Sequence, residues 1–484
     1  MKRNLLLAAL FFLPLLLIAC SEDQVVAPVS GGNTPALVTA DPAGMARAIL
    51  ARTGWPEEPG SYPLPANAAV GSPVQTSCIA SNDRQVITGD IVHYKYRLRV
   101  GCGPYDVIGL HRVVRERRPN QPARTNSNVF LIHGDWKDFE GCFLPGVNSP
   151  GIPMTHSFAV FLAQRDIDVW GIDQAWALVP EAVTDFSFMA GWGMDQHVRW
   201  AGTAVEVARI VRALTGNGYC KMNLLGYSGG SPIGLALINN EAVLPPAQRK
   251  INGFIGVDQG ALTSDPAWGE AMCAFSASYQ SLIDAGQYQD NIVFRYVGIP
   301  AIQAPDDPSA VFPGLTNIQA ALAFGATPLI PGFPCHFLAG VFPDPEGLPT
   351  GLRYTNVDYF LEFMATAPFY EAAVYERDEY LWTCPSGGDV PWDDHFAQVR
   401  VPVLYVMAGG GFGAFWQHTL DALGSCDKTR LRVSLDPSNP LVDFGHIDLF
   451  LADAAPQVFW SPAAKWILRH SDVQGGVIAV KGDD

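Results

Sequence analysis

The stretch from Gly226 to Gly230, with Ser228 at its centre, constrains this chain more than any other. It fits the pattern Gly-x-Ser-x-Gly and lies between the short apolar run 222–225 and the helix-compatible segment 231–238. A serine between a buried strand and a helix occupies a sharp turn, and small residues flank such a turn because larger side chains would collide there. The sequence therefore predicts a nucleophile elbow that presents the Ser228 hydroxyl.

Apolar runs and amphipathic stretches alternate on both sides of this turn. A long amphipathic helix is predicted over 195–214, and strands are predicted at 87–100, 105–114, 128–132, 167–173, 253–257, 401–407 and 430–435. Strands that alternate with helices form a mostly parallel sheet with helices on both faces. The expected fold class is therefore α/β.

Three motifs together resemble the α/β-hydrolase superfamily, in its esterase and lipase-like branches. They are the pair His133-Gly134 at the end of a strand, the elbow at Ser228, and the run 444–449 around His446. The resemblance covers about residues 87–260 and 400–470. It implies a central, mostly parallel sheet, a Ser-His-acid triad and a cap inserted before the penultimate strand.

The resemblance implies Ser228 as the nucleophile and His446 as the general base. The acid is less direct, because the loop 408–416 that usually carries it contains no carboxylate. Asp258 ends the preceding strand, as in pancreatic-type lipases, and it keeps the chain order Ser, Asp, His. Asp258 is therefore the first candidate for the acid, and the alternatives left open are Asp421, Asp443 and Asp448.

An oxyanion hole is expected beside the elbow. The resemblance assigns one donor to the backbone N–H of Gly229, at the start of the elbow helix. The other donor is the backbone N–H of Asp135 or Trp136, in the loop after His133-Gly134.

The 142 residues between Asp258 and Val401 are far more than a strand–helix–strand crossover needs. Residues 261–398 are rich in aromatic side chains and proline. They are predicted to form a largely helical cap or lid that lines an apolar acyl or alcohol pocket. The hydrolase core is then split into residues 46–260 and 399–484.

The first residues carry targeting information. Lys2 and Arg3 precede an apolar run, and the run 17–20 resembles a lipobox with Cys20 as the acylated residue. We therefore expect a lipoprotein signal peptide over 1–19 and a flexible tether over 20–45. The expected location is the cell envelope, at the outer membrane or cell surface, with the membrane bound through Cys20.

The other eight cysteines suggest up to four disulfides in an exported chain, and Cys78 and Cys102 flank a predicted strand and are candidates to pair with each other. No zinc-like spacing of cysteine or histidine occurs, so no metal is predicted. The glycine run 409–413 lacks the companions of a nucleotide-binding loop, so no cofactor is predicted, and a tight turn beside the site is the better interpretation.

A formal net charge of −16 argues against nucleic acid as a partner. The expected function is hydrolysis of carboxylic esters with apolar groups through an acyl-enzyme. Two alternatives stay open at this stage: an amidase or peptidase that uses the same triad, and a hydrolase-like surface binding lipoprotein with little activity.

Overall fold

A computed structural model describes residues 78–344 and 347–472. The predicted signal peptide (1–19), the acylation site Cys20 and the tether (20–45) lie outside the described residues. Within them, none of the helices combines the length and the apolar character that crossing a membrane requires.

A ten-stranded mixed sheet forms the centre of the protein. Its strands are β1 (Cys78–Thr88), β2 (Ile91–Arg99), β3 (Val107–Arg118), β4 (Gln121–Pro122), β5 (Ser127–Ile132), β6 (Ile167–Asp173), β7 (Met222–Tyr227), β8 (Ile251–Val257), β9 (Val403–Ala408) and β10 (Lys428–Val433). The strand order is β1-β2-β3-β6-β5-β7-β8-β9-β10, and β4 pairs with β3. The six strands β5 to β10 run parallel to one another. The strands β1 to β4 form antiparallel pairs, and β3 also pairs antiparallel with β6.

The parallel strands agree closely with the sequence predictions, but the predicted first strand 87–100 is wrong. Gly89 has a φ of +56° and lies in a turn that ends β1 at Thr88 and starts β2 at Ile91. The predicted segment therefore joins the end of one strand to the whole of the next. An alternation of apolar residues continues through a two-residue turn, so this break leaves little trace in the hydrophobic pattern.

Helices cover both faces of the sheet. Those of the core are α1 (Phe139–Phe143), α2 (Phe158–Ala163), α3 (Met194–Leu214) and α4 (Gly230–Ala242) before the insertion, and α10 (Gln417–Ala422), α11 (Asp448–Leu451) and α12 (Ser461–Arg469) after it. A π-helix, Pro456–Trp460, precedes α12, and 3₁₀ helices span Pro145–Val147, Ala175–Leu178, Ser187–Gly191, Phe396–Gln398, Gly413–Trp416 and Pro440–Val442.

The side chains of β5 show how the two faces are filled. Phe130 and Ile132 are buried with residues of α3 and α4 on one face, and Val129 and Leu131 are buried with residues of α2 and α12 on the other. Successive strand residues point to opposite faces, so a parallel strand that is covered on both sides must be apolar throughout. This is why a continuous apolar run correctly predicted the strand.

Residues 261–398 leave the sheet after β8 and return to it at β9. The described residues of this segment contain five α-helices, α5 (Pro266–Asp284), α6 (Val293–Gln303), α7 (Asn317–Ala326), α8 (Val357–Ala365) and α9 (Ala373–Thr383). Two small antiparallel pairs join Gln289–Asn291 to Tyr370–Ala372 and Gly340–Val341 to Gly351–Leu352. The insertion packs aromatic rings on the core loop after β5, where Phe294 meets Trp136 with ring centroids 5.2 Å apart.

A disulfide between Cys273 and Cys384 connects α5 to the residue that follows α9. The suggested pairing of Cys78 with Cys102 is wrong, because Cys102 carries a free, exposed thiol in the turn between β2 and β3. Proximity to the same predicted strand was the only basis for that pairing. Cys273 and Cys384, by contrast, are brought together by the packing of α5 against α9.

Candidate active site

Ser228 lies on the turn between β7 and α4 with a φ of +52°, and its side chain is partly exposed. The flanking glycines are required by close approach of the backbone. A Cβ atom added at Gly226 would lie 2.3 Å from the carbonyl oxygen of Gly230, and one added at Gly230 would lie 2.3 Å from the carbonyl oxygen of Ile132. The turn is therefore tight enough to hold the serine in the left-handed conformation that L-residues rarely adopt.

His446 lies in the loop between β10 and α11, and residues of the insertion hold this loop in place. The backbone N–H of His446 donates to the carbonyl of His336 at 3.2 Å, and that of Ile447 donates to the carbonyl of Phe337 at 2.7 Å. The imidazole ring stacks on Tyr227, the residue before Ser228, with centroids 4.7 Å apart. The histidine loop and the elbow are thus in direct contact.

Asp258 directly follows β8, has a φ of +57° and is completely buried. Its Oδ2 atom lies 2.8 Å from Nδ1 of His446. A carboxylate at this position accepts a hydrogen bond, so Nδ1 carries the proton and Nε2 of the neutral ring keeps its lone pair. Such an imidazole is oriented to act as a base through Nε2.

The end of β9 and the glycine run 409–413 supply the remaining hydrogen bonds of Asp258. Backbone N–H groups of Ala408 and Gly413 donate to Oδ1 at 2.7 and 2.9 Å, and that of Phe412 donates to Oδ2 at 3.0 Å. A Cβ atom added at Gly411 would lie 2.1 Å from Oδ2. This loop, which lacks a carboxylate of its own, therefore wraps around the carboxylate that the neighbouring strand provides.

The three alternative acids have other partners. Asp421 is exposed and forms an ion pair with Arg430. Asp443 accepts from backbone N–H groups of its own loop, including that of Leu435 at 2.6 Å. Asp448 accepts a hydrogen bond from the backbone N–H of Gly445 at 2.8 Å and so stabilises the loop that carries His446. Of the carboxylates that the structure describes, Asp258 is the one bonded to the ring of His446.

His133 organises the loop that follows β5. Its Nδ1–H donates to the carbonyl of Gly134 at 2.8 Å, and its Nε2 accepts from the backbone N–H of Gln174 at 3.0 Å. Burial lowers the pKa of His133 to about 4, so the ring is neutral at pH 7 and can make both bonds. The His-Gly motif therefore connects the ends of β5 and β6 and holds the loop toward Ser228.

The predicted oxyanion donors converge beside the elbow, but each faces a carboxylate. The Asp135 carboxylate accepts hydrogen bonds from the N–H groups of its own residue and of Gly229. The N–H of Trp136, which has a φ of +63°, donates to Oε2 of Glu371 at 3.1 Å. Burial raises the pKa of Asp135 to about 7 and raises that of Glu371 well above its usual range.

A second set of polar residues contacts the elbow, and the sequence analysis missed it. The Ser228 hydroxyl donates to Oε1 of Gln259 at 3.2 Å, and the amide of Gln259 donates to Glu379 on α9. Tyr375, also on α9, donates to the carbonyl of Gly229 at 2.5 Å and lies 2.7 Å from Oε2 of Glu379. Gln259 follows Asp258 directly and was open to prediction, whereas no sequence signal connects α9 to the elbow.

No protein-family model matches this sequence, and no curated protein is detectably similar to it. Solved structures are similar in fold. A candidate lipase from Sulfolobus solfataricus superposes with a TM-score of 0.56 at 16% identity, over 81% of this chain and 99% of that one. A soluble variant of monoglyceride lipase from Saccharomyces cerevisiae (TM-score 0.41, 12% identity, 86% and 100% covered) and a thermophilic esterase from Thermogutta terrifontis (0.37, 12%, 78% and 98%) are too distant to bear on function.

The strand order, the parallel sheet covered on both faces and the likeness to the Sulfolobus structure define the class: the protein has the α/β-hydrolase fold. In this protein, residues 261–398 are inserted into that fold between β8 and the penultimate strand, β9.

Proposed function

We propose that this protein is a serine hydrolase that cleaves carboxylic esters, with Ser228 as nucleophile, His446 as general base and Asp258 as the acid of the triad. The observation that carries the proposal is the 2.8 Å contact between Asp258 and Nδ1 of His446, beside a serine held on a strained strand-to-helix turn. Non-glycine residues at positive φ are uncommon and often lie at functional sites. Three of the five among the described residues, Trp136, Ser228 and Asp258, belong to this site.

The proposed reaction has two steps. Oγ of Ser228 attacks the ester carbonyl carbon while Nε2 of His446 takes the hydroxyl proton; the C–O bond to the alcohol then breaks, and His446 returns the proton to the departing oxygen. Water attacks the acyl-enzyme with His446 again as base, and the acid product leaves with Ser228 restored. Asp258 stabilises the imidazolium that forms in each step.

Two local rearrangements precede the first step. The Ser228 hydroxyl turns from Gln259 toward His446, since catalytic hydrogen bonds often form only when substrate is bound. The N–H groups of Gly229 and Trp136 exchange the carboxylates of Asp135 and Glu371 for the substrate oxyanion. A donor aimed at the developing oxyanion typically contributes about 10²–10³ in rate.

Aromatic side chains near His446 support an apolar substrate. The ring centroids of Phe412 and Phe337 lie 4.8 and 6.2 Å from that of His446, and Phe337 also packs against Trp136. An apolar surround strengthens electrostatic interactions within the site and favours apolar acyl or alcohol groups. We propose that residues 261–398 act as the cap that supplies this surround.

We further propose that the protein is exported and held at a membrane through acylated Cys20, at the outer membrane or cell surface. The lipobox-like run 17–20 supports this part of the proposal. Incorporation of radiolabelled palmitate into the wild-type chain and not into Cys20→Ala is the expected result. Equal labelling of both chains would contradict it.

Covalent labelling tests the hydrolase proposal directly. A fluorophosphonate should modify one serine per chain, and mass spectrometry of the labelled peptide should identify Ser228. Hydrolysis of nitrophenyl esters from acetate to palmitate should fall by at least about 10⁴-fold in Ser228→Ala. The exposed Ser438→Ala variant serves as the matched control and should match wild type. Turnover that survives in Ser228→Ala would refute the proposal.

A further inference from the structure

Three carboxylates meet between the insertion and the loop after β5. Asp135 comes from that loop, Glu371 from the short strand Tyr370–Ala372, and Glu376 from the first turn of α9. One carboxylate oxygen of each lies within 4.8 Å of the corresponding oxygens of the other two. We refer to these three residues as the acidic triad.

Half of the carboxylate oxygens in the acidic triad are buried without a hydrogen-bond donor. Glu376 is 1% exposed and Glu371 is completely buried, yet both oxygens of Glu376 and Oε1 of Glu371 lack a hydrogen-bond donor. In the part of the chain that the structure describes, no lysine, arginine or histidine forms an ion pair with the three carboxylates. Unpaired charge is very costly to bury, so the cluster is neutralised either by protonation, as the raised pKa of Glu371 indicates, or by a positive species among these oxygens.

The neighbouring Glu379 shows the contrast. One of its oxygens accepts a hydrogen bond from Gln259 and the other lies 2.7 Å from the hydroxyl of Tyr375, so both have a polar partner within the protein. Both oxygens of Glu376 are unpartnered, and one of them lies within 4.8 Å of an oxygen of Glu371 and an oxygen of Asp135. These oxygens can therefore accept a ligand from outside the protein.

We propose that Asp135, Glu371 and Glu376 form a binding site for a divalent cation, best suited to Ca²⁺. Carboxylate oxygens are hard ligands, which favours calcium or magnesium over zinc or copper. Calcium–oxygen bonds of about 2.3–2.6 Å allow oxygens on opposite sides of the ion to be roughly 5 Å apart, whereas magnesium allows about 4 Å. The three ligand oxygens lie within 4.8 Å of one another, a span that the flexible coordination of calcium accommodates.

Asp135 gives the site an entrance, because it is the one member that is partly exposed. A bound cation would connect the insertion to the loop after β5. It would also compete with the N–H groups of Gly229 and Trp136 for the carboxylates of Asp135 and Glu371. Cation binding would then leave both N–H groups free to bind the substrate oxyanion, and this consequence rests on the proposed function. The cation-binding site does not depend on that function.

Calorimetry of chelator-treated protein, titrated with CaCl₂ and separately with MgCl₂, tests the site. We expect one Ca²⁺ per chain, weaker binding of Mg²⁺, and a rise in Tm with calcium, since a ligand that binds only the folded state stabilises it. Glu376→Gln should weaken calcium binding about tenfold or more because it removes one charged ligand. The exposed Glu270→Gln, in the same insertion, is the matched control and should bind like wild type.

The Glu376→Gln variant should fold, since the substitution removes a buried ionisable group, and circular dichroism checks its folding. Asp135→Asn tests a second position of the site, which is partly exposed. No heat and no change in Tm with either ion at about 1 mM would overturn the proposal, as would equal affinity in wild type and Glu376→Gln. A Tm that depends on pH but not on calcium would overturn it in favour of a shared proton between Glu371 and Glu376. None of these results depends on ester turnover, so failure here and failure of the hydrolase proposal are distinguishable.

Discussion

Replacing Asp258 by asparagine is the sharpest test of the proposed triad, because the carboxylate accepts four hydrogen bonds and donates none. Its oxygens receive the Nδ1–H of His446 and the backbone N–H groups of Ala408, Phe412 and Gly413. An asparagine side chain has one acceptor oxygen and one NH₂ donor. In either orientation its NH₂ faces a donor, and facing His446 it favours the tautomer with the proton on Nε2.

The size of the effect follows from that tautomer. An imidazole protonated on Nε2 cannot take the proton of Ser228, and an asparagine cannot stabilise the imidazolium that forms in the reaction. We expect kcat to fall about 10⁴-fold, which corresponds to about 5 kcal/mol of transition-state stabilisation. KM should change little, since Asp258 is completely buried and has no surface for the substrate.

The assay is steady-state hydrolysis of a short-chain nitrophenyl ester, with fluorophosphonate labelling of Ser228 as a second readout. Asp421→Asn is the matched control, since Asp421 is exposed and paired with Arg430, and it should retain wild-type kcat. Asp258→Asn that keeps more than about a tenth of wild-type kcat would refute the assignment. So would a larger loss in Asp443→Asn than in Asp258→Asn.

Three further predictions concern pH, packing and the disulfide. Burial lowers the pKa of His197 to about 4, so the stability from keeping it neutral, about 3 kcal/mol, is fully present above pH 6.5 and is lost as the pH falls toward 4. His197→Gln should therefore show a shallower fall in Tm over that range, and an unchanged pH profile would contradict the reasoning. An added Cβ atom at Gly134 would lie 2.5 Å from Cβ of Ser228, so Gly134→Ala should reduce ester turnover about 10²-fold, whereas Gly191→Ala, with no atom within 4 Å, should not. Replacing Cys273 and Cys384 together by serine opens a loop of 111 residues and should lower the free energy of unfolding by about 4–5 kcal/mol in denaturant titrations; an unchanged midpoint would argue against this crosslink.

Several features of the fold were predictable because they depend on local patterns. The strands β5 to β9 are mostly apolar, since both of their faces are covered, and the elbow is a turn whose backbone contacts require glycine at 226 and 230. The same patterns misplaced the boundary between β1 and β2, where alternation continues across Gly89. The periodicity of apolar residues indicates which residues are buried, but it is a poorer guide to where one strand ends and the next begins.

The identity of the proposed acid was open in the sequence, and its contact with His446 depends on pairing between distant strands. Asp258 and His446 are separated by 188 residues, and they meet because β8, β9 and β10 are adjacent in the sheet. The loop that contains the glycine run 409–413 has no carboxylate of its own. Only the register of β8 against β9 shows that its N–H groups enclose the carboxylate of Asp258.

The insertion marks the limit of what the chain reveals without its tertiary structure. Its aromatic content predicted an apolar cover, but nothing in the sequence connects Glu371, Glu376 and Tyr375 to the elbow, because their roles depend on how α9 docks against the loop after β5. Propensity and periodicity act over a few residues, whereas a buried polar cluster is defined by contacts between segments more than 200 residues apart. The proposed nucleophile could therefore be predicted from its own surroundings in the chain, while the acidic triad beside it is a consequence of folding.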